Sequence, residues 1–257
     1  MKVLVTGASG TLGSAVVPRL VAEGHDVVAT SREPRGDDNG VAWRVVDLST
    51  GQGLLRALKG VDTIVHAATA PYKRGYTREV DVGGTGRLVR ATHQAGVTHL
   101  IYVSIVGVDR IPFGYYRTKV AAERIIRESG LGWTVLRATQ FFQLIDFALT
   151  TVDRLRIALI DPNIPAQPVD PRDVTGAVAT RVGKGAANGI EEFGGPERMS
   201  LDTALATWQE ARGSRRRVVR ITVPGKTGRA FRAGHLATDA RPTGTITWQN
   251  WLNETYG

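Results

Sequence analysis

Residues 3–13 constrain this chain more than any other stretch. Val3-Leu4-Val5-Thr6-Gly7-Ala8-Ser9-Gly10-Thr11-Leu12-Gly13 reads as an apolar strand that turns through three glycines into a helix. Val3, Leu4 and Val5 leave no polar face, as in a parallel strand covered on both sides. In such a turn Gly7 permits the sharp reversal, Gly10 lets the backbone approach an anion, and Gly13 lets the new helix pack close to the strand. The first N–H groups of that helix, and the positive end of its dipole, then face the anion. The arrangement predicts a cradle for a dinucleotide pyrophosphate. The alternative is a tight glycine turn without a ligand.

The pattern then repeats. Leu12, Val16, Leu20 and Val21 form a helical stripe, with Pro18 predicting a local kink, and Glu23-Gly24 end the helix. Strands are expected at His25–Thr30, Val41–Val46, Asp62–His66, His99–Val103 and Trp133–Arg137. Alternation of strand and helix on this scale predicts an α/β, Rossmann-type, doubly wound parallel sheet. Ligands in such folds lie beyond the carboxyl ends of the strands, where Asp47-Leu48, Ala67-Ala68-Thr69 and Ser104 fall. Residues 1–160 are expected to form the dinucleotide-binding core. Residues 161–257 are expected partly to rejoin the sheet and partly to form a small subdomain, with a helix at Leu201–Ala211, a strand at Val218–Val223 and a helix at Arg229–Leu236. Ser31–Gly40 and the proline-rich Asp161–Pro171 read as linkers.

Composition removes several classes. The absence of cysteine rules out disulfides, thiolate metal sites and a cysteine nucleophile, and the five histidines lack metal-ligand spacing, so no metal is expected. No apolar run is long enough to span a membrane, no cleavable leader is read, and no Gly-x-Ser-x-Gly elbow is found. A cytoplasmic enzyme acting on a small molecule fits these absences. The net charge of +9 raises the question of nucleic acid. Its densest cluster, Arg212 with Arg215-Arg216-Arg217, has no interleaved aromatic residues and reads as a solvated turn before an edge strand, so no nucleic-acid partner is expected. Oligomeric state is left open.

Cofactor preference turns on the end of the second strand. An acidic residue there would bond a ribose 2′-hydroxyl and repel a 2′-phosphate, but this chain has Thr30-Ser31-Arg32 followed by Glu33. Arg32 can fork onto a phosphate or stack on adenine, and Ser31 can donate a hydrogen bond. NADP(H) is expected ahead of NAD(H), which stays admissible. The alternative for Arg32 is a solvent-facing loop residue.

Thr6-Gly-Ala-Ser-Gly-Thr-Leu-Gly13, Asp47-Leu48, Ala67-Ala68-Thr69 and Tyr115-Tyr-Arg-Thr-Lys119 together resemble the short-chain dehydrogenase/reductase superfamily, in its atypical and extended, NmrA-like, NAD(P)H-binding branch. The similarity continues through Glu123, Gly132-Trp-Thr-Val-Leu-Arg137 and Phe193-Gly-Gly-Pro-Glu197, over nearly the whole chain. The resemblance implies that Gly7, Ser9, Gly10, Thr11 and Leu12 hold the pyrophosphate and that Ser31 and Arg32 meet the adenosine phosphate. Asp47-Leu48 would flank adenine, unless Asp47 simply caps the following turn. Ala67, Ala68 and Thr69 would line the nicotinamide ribose side. Lys119 would bond that ribose and lower the pKa of Tyr115, which exchanges a proton with the substrate oxygen while Ser104 assists. Four residues apart, Tyr115 and Lys119 share a helix face.

Gln140, Phe141 and Phe142 would border the substrate, the two phenylalanines alternatively serving as core, and the C-terminal subdomain would cover it. Phe142 stands where related sequences often carry histidine, and Asp173 would cap a helix. Ile105 occupies the family's usual hydroxyl position, and ten residues separate Ser104 from Tyr115. The implied activity is reduction of a small carbonyl or quinone-like compound with NADP(H). A non-catalytic NADP(H)-sensing regulator and a nucleotide-sugar epimerase or dehydratase are the alternatives.

Overall fold

The apolar runs of the first half form strands close to where their patterning places them. A computed structural model describes residues 1–70, 75–153, 157–215 and 217–257. Strands Lys2–Thr6 (β1), Asp26–Ser31 (β2), Val41–Val45 (β3), Thr63–His66 (β4), His99–Ile105 (β5) and Gly132–Ala138 (β6) are separated, except between β2 and β3, by helices. These are Gly13–Ala22 (α1), Leu54–Ala57 (α2), Tyr76–Arg78 (α3), Thr85–Ala95 (α4) and Gly114–Arg127 (α5). A π-helical turn, Glu79–Gly84, joins α3 to α4. Beyond β6 come Phe142–Asp153 (α6), Ile157–Ile160 (β7), Pro165–Ala166 (β8), Pro171–Lys184 (α7) and Gly189–Phe193 (β9). Met199–Ser200 (β10), Leu201–Arg212 (α8), Arg217–Arg220 (β11), Gly225–Arg232 (α9) and Trp248–Tyr256 (α10) complete the order.

The main sheet has seven strands in the order β3-β2-β1-β4-β5-β6-β9. β1 pairs in parallel with both β2 and β4, so the strand order reverses at β1, the point where α/β sheets open a ligand crevice. α1 runs on through the exposed Pro18, whose missing N–H removes a single helical bond, to Ser14 O, in the second turn.

The chain forms two compact units that interleave along the sequence. The first comprises residues 1–104, 114–137 and 175–191, and the second 105–113, 138–174 and 192–257. The division therefore differs from one cut after residue 160: the chain leaves the first unit after β5 and again after β6, and returns through α7 and β9. In the first unit, Leu4, Ile64, Leu88, Leu100, Ile126 and Val135 belong to the core. The second is centred on Phe142, Trp208, Trp248 and Trp251, all supplied by helices.

Asp161–Pro171 is no exposed linker. Most of it is buried, and Asp161 accepts hydrogen bonds from Val223 N at 2.9 Å and from Arg232 Nη1 at 2.6 Å. Prolines there restrict the backbone without bringing it to the surface. α9 begins four residues before the expected Arg229 and stops short of Leu236. α6 and α10 fall where no helix was expected.

Two motifs quoted above meet inside the first unit. Arg137 Nε and Nη2 donate to the two carboxylate oxygens of Glu123 at 3.0 and 2.7 Å, and both side chains are more than nine-tenths buried. Removing one partner strands a buried charge, whereas a matched apolar pair does not. Glu123→Ala is therefore expected to lower unfolding free energy by about 3–5 kcal/mol in urea titrations, and Glu123→Leu with Arg137→Met to recover most of that loss.

Candidate cofactor-binding and active site

The turn after β1 has no room for side chains where it needs none. Gly7 adopts φ +68°, and a Cβ there would stand 2.7 Å from both Cα and N of Ala68. A Cβ at Gly13 would stand 2.1 Å from the Gly7 carbonyl oxygen. At Gly10 the nearest atom to such a Cβ is the Gly7 oxygen at 3.2 Å, so this backbone is open to close approach from outside. Gly10 N donates to Gly7 O at 2.9 Å, and α1 starts with no side-chain cap. Uncapped N–H groups behind a glycine turn fit a pyrophosphate. Ser9, Gly10 and Thr11 are exposed beside it, whereas the Leu12 side chain is buried in the core and leaves only its backbone for the ligand.

At the end of β2, Arg32 is exposed, donates to Tyr76 Oη at 3.2 Å and acts electrostatically on Asp47. The Ser31 hydroxyl donates to the Glu33 carbonyl, a local contact at the surface. Asp47 accepts from Ser49 N and Oγ at 2.8 and 2.7 Å, and the Ser49 side-chain hydrogen bond holds its carboxyl below the usual range. This is a capping geometry, so Asp47 builds the turn whether or not it also flanks adenine. Leu48 is a core residue through its side chain.

Tyr115 and Lys119 project from α5 toward different partners. Lys119 is buried, and its Nζ donates to Val103 O at 2.8 Å and lies 4.2 Å from the centre of the Tyr102 ring. Burial pulls its pKa down to about 8, against the opposing pull of Asp81 and Glu123, so the ammonium survives at neutral pH. The Tyr115 hydroxyl lies 2.8 Å from Thr69 Oγ1, which donates to Asp81 Oδ1 at 2.5 Å. Asp81 Oδ2 accepts from Ala70 N at 3.0 Å. Ser104 is buried, and its Oγ has no hydrogen-bond partner among the described residues.

Behind this cluster lies a group that the motifs do not reveal. His66 is fully buried, with Nδ1 2.7 Å from Thr6 Oγ1 and Nε2 3.0 Å from Thr85 Oγ1. Thr85 gives its own proton to Asp81 O at 2.6 Å, so His66 Nε2 carries the hydrogen and Nδ1 accepts from Thr6. Burial, reinforced by the charge on Lys119, pushes the His66 pKa down to about 3 and keeps the ring neutral. Asp81 was equally unforeseen, although a carboxylate set between Val80 and Val82 is a visible anomaly in the sequence.

The three substrate candidates belong to the second unit. Gln140 Nε2 donates to Leu236 O at 3.2 Å, and its side-chain oxygen is buried without a partner among the described residues. Phe141 is half-buried and bridges to Val169. Phe142 is fully buried with its ring centroid 5.3 Å from that of Trp248 and 5.7 Å from that of Trp251. It is therefore core and not a pocket wall, because α6 turns it inward at its first residue. Asp173 accepts from the backbone N–H groups of Thr245 and Ile246, both at 2.9 Å, which makes it a brace between segments.

Residues 7–150 match the family model described as NAD(P)H-binding. The chain belongs to that family. The (4-alkanoyl-5-oxo-2,5-dihydrofuran-3-yl)methyl phosphate reductase of Streptomyces griseus is 30% identical over 201 residues, covering 76% of this chain and 68% of that protein. Photosystem II assembly factor Ycf39 of Synechocystis sp. is 28% identical over 182 residues, 68% of this chain and 56% of the relative's length. Among solved structures, a nucleoside-diphosphate-sugar epimerase from Staphylococcus aureus aligns with a TM-score of 0.80 at 19% identity, covering 98% of this chain and all of that one. At that identity the likeness shows the fold alone.

The buried His66 has a consequence for acid stability. It titrates near 6.5 when unfolded and near 3 when folded, so between those values the unfolded state binds the extra proton. Its contribution is fully present above the upper value and falls as pH drops, by up to about 1.4 kcal/mol per pH unit. His66→Gln, compared with wild type by urea unfolding between about pH 4 and 7, is expected to flatten that slope.

Proposed function

We propose that the protein is an NADP(H)-dependent reductase of a small, partly apolar carbonyl or quinone-like compound. The observation that carries this reading is the half-buried, hydrogen-bonded Tyr115 hydroxyl on the same helix as a Lys119 ammonium tethered to the carboxyl end of β5. The cofactor, when bound, supplies hydride to the substrate carbon. Tyr115 delivers the proton to the substrate oxygen, and Lys119 holds positive charge that favours the phenolate left on Tyr115. Ser104 offers a buried hydroxyl with bonding capacity to spare. The reductase name of the Streptomyces griseus relative agrees with this reaction class.

A second reading, an NADP(H)-responsive regulator without turnover, draws on Ile105 at the family's usual hydroxyl position. We place the protein in the cytoplasm, where its zero cysteines lose nothing. Nucleic acid is not a partner in this reading. Arg212 lies 4.8 and 4.9 Å from the ring centres of Trp208 and Tyr256, a packing role, and Arg216 lies outside the described residues.

NADPH is expected to bind more tightly than NADH through the exposed Arg32 guanidinium. Calorimetry should show Arg32→Ala losing about ten- to a hundredfold in NADPH affinity, the worth of a charge-assisted contact. Equal affinity in both proteins removes Arg32 from the site. Tyr115→Phe is expected to bind NADPH nearly as wild type while turning over roughly 10²–10⁴-fold more slowly, followed by NADPH absorbance across carbonyl and quinone substrates. Tight NADPH binding with no turnover on any of them favours the regulator.

A further inference from the structure

We propose that Asp81 is a positioning residue that sets the direction of the Thr69 hydroxyl and thereby holds Tyr115 as a proton donor. This rests on the reading of Tyr115 as the acid and adds what prepares it. Asp81 occupies the π-helical turn between α3 and α4 and is almost wholly buried. Both of its carboxylate oxygens are engaged as acceptors, one from Ala70 N and one from Thr69 Oγ1. An ionised carboxylate can only accept, so the single Thr69 proton is committed to it. Only an accepting lone pair then faces Tyr115 Oη, 2.8 Å away, and the proton on that line belongs to the tyrosine. A hydrogen bond given by the neutral phenol favours the neutral form.

Lys119 pulls the other way, through its charge. Among the described residues, the groups facing this cluster include Lys119 and Glu123 on α5, Tyr102 on β5, Asp81 on the turn and the neutral His66 on β4. Tyr102 itself is held neutral, its pKa raised by burial and then by the charge of Asp81. In the resting protein the Lys119 ammonium is committed to Val103 O, whereas the Asp81–Thr69–Tyr115 line is already formed. Tyr115 is thus charged with its proton before substrate arrives, which suits reduction. The backbone carbonyl of Asp81 accepts from Thr85, the partner of His66, so the turn is fixed from both ends of the residue.

Asparagine at this position would reverse the line. Its carbonyl oxygen must face Ala70 N–H, because its amide there would set donor against donor. Its NH₂ then donates to Thr69 Oγ1, and the Thr69 proton turns toward Tyr115, where it stabilises phenolate.

Ultraviolet titration of phenolate on the full chain without cofactor tests this, with a matched Tyr115→Phe spectrum subtracted to isolate Tyr115. Asp81→Asn is expected to lower the Tyr115 midpoint by about one pH unit or more. In a Thr69→Val background the same change should shift it by only a small fraction of that. An equal shift in both backgrounds would mean that Asp81 acts by charge through space, and the proposal is overturned. If Asp81→Asn does not fold, Thr69→Ser is expected to keep the wild-type midpoint and Thr69→Val to lower it; an unchanged midpoint in Thr69→Val overturns the proposal. None of these readouts needs turnover. Failure of every substrate therefore counts against the reductase reading, and failure of the titration against the role of Asp81.

Discussion

At Gly7 the β1–α1 turn presses backbone against backbone on Ala68 at the end of β4, at a separation that admits no Cβ. Much of the first unit's chemistry follows from that approach. It brings Thr6 Oγ1 within 3.4 Å of Ala68 N and 2.7 Å of His66 Nδ1, which locks the end of β4 to the end of β1. Thr69, one residue beyond Ala68, is then held where it meets both Tyr115 and Asp81. The glycine that lets the chain reverse after β1 therefore also seats the segment that carries Thr69. A methyl group at residue 7 would push on both, and φ +68° would strain any residue carrying one.

Charge burial in this unit is balanced locally. Lys119, Asp81, Glu123 and Arg137 are all nearly inaccessible, two positive and two negative. Glu123 serves two of these relationships, pairing with Arg137 through a two-point contact and acting electrostatically on Lys119. An isolated ammonium at such depth would lose its proton. Here the neighbouring carboxylates keep Lys119 at about 8, charged at neutral pH and still close enough to titration to respond to a change in its surroundings.

The glycine turn, the parallel strands and the Tyr115–Lys119 helix were legible because each is a local signal: a spacing, an alternation or a run. The strand order, reversing at β1, is supplied by the fold and not by these local signals. What stayed hidden depends on distant partners. Asp81 stands out between two valines, but only the fold brings Thr69 and the Ala70 N–H to it. Phe142 was read toward the substrate because it follows a strand end, yet α6 begins at that residue and turns it into the core. Asp161–Pro171 looked like a linker because proline marks irregular backbone, which is a different property from exposure. Trp248, Trp251 and Leu252 carry helical spacing behind the capping Thr247, a signal that is present in the sequence.

The two tryptophans of α10 stack with ring centroids 5.3 Å apart and planes 9° from parallel. Indoles held so close share their electronic transitions, and such a pair gives a circular dichroism couplet that separate indoles do not. Trp43 and Trp133 belong to the other unit, so this optical signature originates wholly in the second. The protein thus carries its own spectroscopic label for one half of an interleaved chain. Loss of the couplet on heating or in denaturant can be timed against the tyrosine signal, five of whose six sources belong to the first unit, which shows whether the two halves melt together without any added probe.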